Sequence, residues 1–218
     1  AGVPVVTAAE GMTLDVVRRK AEEEGADIFV LGEDFAVLPM KQAAGMIEFS
    51  SELLGIRAAH YALALGGAYQ RRNAALAVMA AELLAGTHPS ITHENIAAAL
   101  RSAAWPGRFE RFTLDGKRII IDGAHNPAGA AALRESLDAA FVDEARVLLI
   151  GILEDKDYRS MLKTLLRAGD RVVVTPPMSL RAGDPENLAR AAREITADVE
   201  IVENAQAALE RALSLTDE

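Results

Sequence analysis

The chain contains no cysteine. That excludes a disulfide framework, thiolate metal sites and a cysteine nucleophile, so any catalysis must use oxygen and nitrogen groups. Positive charge is also in short supply: 23 Lys and Arg stand against 32 Asp and Glu, a net charge of −9. Such a balance opposes general attraction to nucleic-acid backbones or anionic membranes, so any phosphate site has to be built locally. A long hydrophobic run is missing as well. The best stretch, residues 58–67, includes His60 and Tyr61 and falls short of the roughly 20 apolar residues that a spanning helix needs. No secretory leader is expected, and a cytoplasmic location fits best. What is present is globular in character, with 50% hydrophobic and 25% charged residues over 218 positions, enough for one large or two modest domains. The excess of alanine favours helices and close helix-to-sheet approach, and a genome-level compositional preference accounts for it.

Hydrophobic periodicity divides the chain near Trp105-Pro106-Gly107. Before that break, an apolar opening run, a helical pattern over 12–24 with Thr13 as its cap, and a strand over 28–31 give the rhythm of a parallel α/β layer. Short apolar stretches at 35–38, 45–49 and 58–65 read as antiparallel edge strands. Helices follow over 68–84 and 92–103. After the break, strands over 108–113 and 117–122 flank Leu114-Asp115-Gly116, a strong hairpin signal. Helices over 127–141, 158–167, 185–195 and 204–215 then alternate with strands over 146–151, 171–175 and 199–202. The uniformly apolar runs 147–150 and 172–174 predict strands covered on both faces, as in a doubly wound domain.

Most of the chemistry lies in Ile119-Ile120-Ile121-Asp122-Gly123-Ala124-His125-Asn126-Pro127, where a strand read as buried meets a polar loop and a helix start. Ligands of open α/β sheets bind at the carboxyl ends of strands. Asp122 could there accept hydrogen bonds from a ribose and His125 could meet phosphate oxygens, while Gly123 permits close backbone approach. Asn126 can cap the helix and Pro127 suits its first position. The same residues also read as a plain turn and helix start, and the residues alone leave both readings open. Arg108 offers a planar fork of donors behind a Pro-Gly hinge on which it could swing, which suits a phosphate ligand; its other reading is an edge-strand arginine. Gln70 and Asn73 lie one helical turn apart, forming either a polar notch or a set of caps. Lys156 and Asp157 read either as loop-orienting groups or as a solvated helix start, and Arg181 is a further candidate carboxylate ligand. His60, His88 and His93 share no ligand spacing with one another or with His125, so no metal site is expected.

Asp-Gly-Ala-His-Asn-Pro at 122–127, preceded by Trp-Pro-Gly-Arg-Phe-Glu at 105–110, resembles the C-terminal signature of folylpolyglutamate synthases and bifunctional dihydrofolate synthases, members of the Mur ligase superfamily. The resemblance continues in Gly-Ala-Tyr-Gln-Arg-Arg-Asn-Ala at 67–74, in Gly-Ile-Leu-Glu-Asp-Lys-Asp at 151–157 and in the opening Ala-Gly-Val-Pro-Val-Val. It implies an α/β protein in which residues 1–104 form the C-terminal part of a central ATPase-type domain and residues 105–218 a Rossmann-like, doubly wound domain. It also implies ATP-dependent addition of L-glutamate to a folate or dihydropteroate carboxylate through an acyl phosphate, a reaction catalysed by positioning and by cations over the transferring group. On this reading Asn73, Arg108 and Asp122 bind the nucleotide, His125 is the catalytic group near the phosphates or the acyl phosphate, and Gln70, Lys156, Asp157 and Arg181 are candidate substrate ligands. Tyr69 departs from the pattern, standing where many relatives carry histidine.

The family's glycine-rich phosphate loop has no counterpart in this sequence. The only Gly-Lys pair, Gly116-Lys117, precedes Arg118 in the expected hairpin, and the residues that hold Mg²⁺ belong to family segments preceding the Pro-Val-Val strand. The expectation is therefore a C-terminal ligase fragment, inactive alone and monomeric as the full-length enzyme, with no nucleic-acid or membrane partner. The alternatives are a non-catalytic Rossmann-like nucleotide-binding module and a fragment of a cell-wall Mur peptide ligase.

Overall fold

The structure, a computed structural model, describes residues 2–40, 45–142 and 144–216. It divides into two units, one through Pro106 and the other from Gly107.

In the first unit β1 (Val5–Thr7) pairs in parallel with β2 (Ile28–Val30), and α1 (Gly11–Glu23) makes the crossover. The expected Thr13 cap is not found. The N-cap is Glu10, in extended conformation and with no side-chain cap bond, which leaves Thr13 inside the first turn. Then β3 (Ala36–Pro39), β4 (Met46–Ser51) and β5 (Ile56–Ala62) form an antiparallel sheet with β4 in the centre. The expected edge strands are therefore a three-stranded layer with one buried face. Along β4, Ile47, Phe49 and Ser51 are buried and their neighbours are not, the period-2 signature of a half-buried strand. Ile47, Phe49 and Tyr61 pack with Ala74, Ala75, Val78 and Met79 of α2 (Gln70–Ala85) and with Ile96 of α3 (His93–Ser102). The strand read over 58–65 ends earlier because Ala64 N–H bonds to Leu100 O, drawing the chain off the sheet towards α3. The buried Tyr61 hydroxyl meets His93 Nδ1 at 3.0 Å, and burial pushes its pKa up to about 12.

The second unit begins with the hairpin β6 (Glu110–Leu114) and β7 (Lys117–Ile121). Its turn residues Asp115 and Gly116 have φ of 50° and 77°, the paired left-handed conformation that makes Asp-Gly a hairpin signal. The expectation that Ile119–Ile121 is a buried strand fails: among the described residues β7 pairs with β6 alone, and Ile121 is 47% exposed. After α4 (Pro127–Ala140), β8 (Val147–Ile150), β9 (Arg171–Val174) and β10 (Val199–Ile201) form a parallel sheet in the order β10-β9-β8. Successive β9 side chains point to opposite faces. Val172 and Val174 pack with α5 (Tyr158–Leu165) and α6 (Pro185–Arg193), while Val173 packs with Ala208 and Ala212 of α7 (Ala205–Ser214). Helices on both faces explain why these strands read as uninterrupted apolar runs. Lys117 Nζ donates to Leu213 O and Thr216 O at the carboxyl end of α7, tying the hairpin to the helix.

Arg211 on α7 clamps Glu200 on β10 with two bonds of 2.7 and 2.6 Å, which hold the Glu200 carboxyl below its ordinary 4.5. A depressed folded pKa contributes stability above the unfolded value and loses it as pH falls through the folded one. Glu200→Gln should therefore lower the melting temperature at pH 7, by an amount matching at most about 1 kcal/mol for so exposed a pair. The gap to the parent should close as pH drops below the glutamate range; a gap of constant size in a thermal-melt series would show that charge is not its cause.

Candidate functional site

Three short turns build the site of the second unit. Gly107 and Phe109 have φ of 71° and 48°, so the chain turns sharply on both sides of Arg108. Each turn is pinned. Gly107 N–H donates to Glu110 Oε2 (2.8 Å), Gly123 N–H donates to Gly107 O (2.8 Å), and Phe109 N–H donates to Asp122 Oδ2 (2.9 Å). The other Asp122 oxygen accepts Ala124 N–H at 2.9 Å. Phe109 is a non-glycine residue in the left-handed region, a conformation that costs of order 1–2 kcal/mol. Its ring is 1% exposed, with the Arg111 guanidinium 5.0 Å from its centroid, so packing holds it there.

These contacts place Arg108, half-buried, against the loop that follows β7. A Cβ built on Gly123 would lie 3.5 Å from Arg108 Nη1 and 3.4 Å from Gly107 O. Both residues flanking Arg108 are bonded within the second unit. His125 is exposed, and its Nδ1 lies 2.9 Å from Gly123 O. A carbonyl can only accept, so Nδ1 donates in this contact. Asn126 Oδ1 accepts Gly129 N–H at 2.7 Å as the N-cap of α4, with Pro127 in the first turn.

A second group lies on the loops after β8 and β9. Lys156 Nζ and Arg181 Nη2 reach the same Asp155 carboxylate at 3.6 and 3.4 Å, so two cations meet one anion. Asp157 is used differently. It caps α5 by accepting Ser160 N–H at 3.1 Å, and its bonds from the Ser160 side chain and backbone hold its carboxyl below the ordinary range. Glu154 N–H donates to Arg181 O, joining the two loops. The cleft beside them is lined by Glu154, Tyr158, Thr175, Asn187 and three prolines, and the buried Thr175 hydroxyl has no partner among the described residues.

Gln70 and Asn73 belong to the first unit, at the start of α2. Neither caps the helix. Asn73 Nδ2 donates to Gln70 Oε1 at 2.9 Å, and Gln70 is buried. The structure therefore assembles Arg108, Asp122 and His125 on adjoining turns and Lys156 with Arg181 around Asp155. Reading the sequence missed Glu110 and the Phe109 conformation. No sequence signal marks an aromatic residue for positive φ, whereas Glu110 closes the Trp-Pro-Gly-Arg-Phe-Glu run that carries the family resemblance.

The family described as Mur ligase, glutamate ligase domain, matches residues 107–218. The dihydrofolate synthase/folylpolyglutamate synthase of Mycobacterium tuberculosis is 37% identical over 204 residues, covering 91% of this chain and 42% of that protein. The folylpolyglutamate synthase of Lacticaseibacillus casei is 34% identical over 220 residues, covering 99% of this chain and 49% of its own. The solved structure of Mycobacterium tuberculosis folylpolyglutamate synthase complexed with ADP and AMPPCP aligns with a TM-score of 0.80 at 30% identity, over 96% of this chain and 48% of that one. The chain thus spans about half the length, or less, of the relatives it matches. Their likeness bears out the expected α/β fold with a Rossmann-like second unit.

Proposed function

The chain belongs to the Mur ligase family through its glutamate ligase domain, and from that membership we propose that it supplies one wall of an ATP-dependent ligase that adds L-glutamate to a folate or dihydropteroate carboxylate. The observation that carries this reading is the pinned turn that sets the Arg108 guanidinium beside Gly123, in the loop holding Asp122 and His125. In the first step a substrate carboxylate oxygen attacks the terminal phosphorus of ATP and ADP leaves, giving an acyl phosphate. In the second the amine of L-glutamate attacks the acyl carbon, phosphate leaves, and the amine loses a proton. Arg108 binds the phosphates, where fixed cations stabilise the charge spread over the transferring group. Asp122 accepts from the ribose in addition to its backbone bonds, since a carboxylate has about four acceptor positions. His125 lies near the phosphates or the acyl phosphate, where its Nε2 donates to an oxygen only when the ring is protonated.

Lys156 and Arg181 suit a dicarboxylate, because two cations share Asp155 and either can turn to a substrate carboxylate. Asp157 fixes the loop that presents Lys156. Asn73, oriented by Gln70, contacts the nucleotide from the first unit, which on this reading is part of a central ATPase-type domain over residues 1–104, with the C-terminal domain over 105–218. Mg²⁺ would supply positive charge against the phosphates. Among the described residues no group of three or more acidic or histidine side chains could hold it.

The test is calorimetry with ATP on this chain, together with an ATPase assay in the presence of folate and L-glutamate. We expect ATP to bind, no turnover by the chain alone, and a loss of about tenfold or more in affinity for Arg108→Ala, as removal of a charge-assisted bidentate contact implies. Robust turnover would refute inactivity of the isolated chain. Equal ATP affinity in Arg108→Ala would overturn the phosphate role.

A further inference from the structure

We propose that Glu110 is a positioning residue that sets the Arg108 guanidinium for the terminal phosphates of a nucleoside triphosphate; this rests on the reading of Arg108 as a nucleotide ligand. Three backbone groups flank Arg108, namely Gly107 N–H, Gly107 O and Phe109 N–H, and each is hydrogen-bonded within the second unit. Two of those partners, the Gly123 amide and Asp122, lie in the loop after β7. The third is the Glu110 carboxylate, which reaches back over the turn to Gly107 N–H at 2.8 Å. Without it, Gly107 is held only through its carbonyl, and glycine has the widest backbone freedom of any residue. Gly107 is also the last residue before the chain passes to the other unit, so slack there moves the Arg108 Cα directly.

Glu110 itself is exposed, and its backbone is fixed by the β6–β7 ladder opposite Ile121. Its side chain therefore acts from a rigid base. It also contributes a negative charge within one turn of a phosphate-binding arginine, a placement that by itself weakens anion binding. The bond to Gly107 offsets that cost, because a carboxylate accepting a backbone N–H is stronger than a neutral acceptor. Glutamine can make the same bond through Oε1 with less strength, whereas alanine cannot make it at all.

The experiment compares ATP and AMP binding by calorimetry for the parent chain, Glu110→Ala, Glu110→Gln and Arg108→Ala, with amide hydrogen exchange at Gly107 followed by NMR. The parent should prefer ATP. Glu110→Ala should cut that preference by about fivefold, the equivalent of one exposed charge-assisted bond, and leave AMP affinity unchanged. Its Gly107 amide should exchange faster, while Glu110→Gln should stay within about twofold of the parent in both readouts. A general loss of structure would lower ATP and AMP binding together and would not be rescued selectively by glutamine. If Arg108→Ala abolishes the preference and Glu110→Ala does not reduce it, the positioning role is overturned and the nucleotide reading stands. If the parent has no preference, or Arg108→Ala keeps it, the nucleotide reading fails and the proposal falls with it. Equal Gly107 exchange in parent and Glu110→Ala would also overturn it, since the bond would then hold nothing.

Discussion

Asp122→Ala should lower the stability of the Gly107–Glu218 unit by about 3 kcal/mol, because two backbone N–H groups lose a charged acceptor at a cost of roughly 1.5 kcal/mol or more each. Asp122 Oδ2 holds Phe109 N–H and Oδ1 holds Ala124 N–H, so its removal releases both ends of the site at once. At Phe109 the loss is compounded: the residue sits at a φ of 48°, and a strained conformation persists only where its surroundings over-determine it. Water can replace part of the bond at Ala124 in a partly exposed loop, which keeps the expected figure from rising further. Asn retains one side-chain acceptor, so Asp122→Asn should lose about half as much. Urea unfolding of the three proteins gives the comparison directly, and an Asp122→Ala variant as stable as the parent would show that these bonds carry nothing.

The same argument changes how a binding defect at Asp122 has to be interpreted. Loss of ATP affinity in Asp122→Ala follows from loosening of the Arg108 turn alone and says nothing about a ribose contact. Inorganic triphosphate has no ribose. If Asp122 also binds the sugar, Asp122→Asn should weaken ATP more than triphosphate; equal loss for both ligands would leave the residue with its positioning role only.

Much of this arrangement was legible in the sequence, for physical reasons that differ from place to place. Asp115-Gly116 announced its hairpin because few residue pairs accept two successive positive φ values. Val147–Ile150 and Arg171–Val174 announced covered strands because helices lie on both their faces. The same uniform apolar pattern misled at Ile119–Ile121, since composition cannot distinguish a central parallel strand from a hairpin arm whose side chains stay half-exposed. Thr13 misled because a capping residue type one turn into a helix looks like a helix start. At Gln70 and Asn73 the spacing was read correctly as one shared face, but their partner proved to be each other. Least legible of all was the Arg108 turn. It depends on Phe109 taking a conformation against its preference, held by contacts 13 residues distant in sequence.

Gly151→Val should cost about 3 kcal/mol or more, at the upper end of what overpacking imposes, and Gly151→Ala about half of that. The glycine ends β8 where the loop bearing Lys156 begins. Its φ is not positive, so a side chain is excluded by space and not by backbone conformation. A Cβ at this position would lie 2.9 Å from Thr175 O and 3.5 Å from Pro177 Cγ. Neither obstacle can rotate away. The carbonyl belongs to the backbone just past β9, where Thr175 N–H is bonded to Ile150 O at 3.0 Å, and the proline ring is rigid. Relief therefore requires the ends of β8 and β9 to part, which breaks that bond and displaces the loop holding Lys156 and Asp155. Gly123→Ala is the internal control. Its Cβ would meet Gly107 O at 3.4 Å and the Arg108 guanidinium at 3.5 Å, ordinary van der Waals distances that require no displacement, so it should cost less than about 1 kcal/mol. Thermal melts should then show a fall of roughly 10 °C or more for Gly151→Val in a unit of this size and little change for Gly123→Ala. Equal melting temperatures for Gly123→Ala and Gly151→Ala would mean that the close approach of β8 to the Thr175 carbonyl does not hold this edge of the sheet.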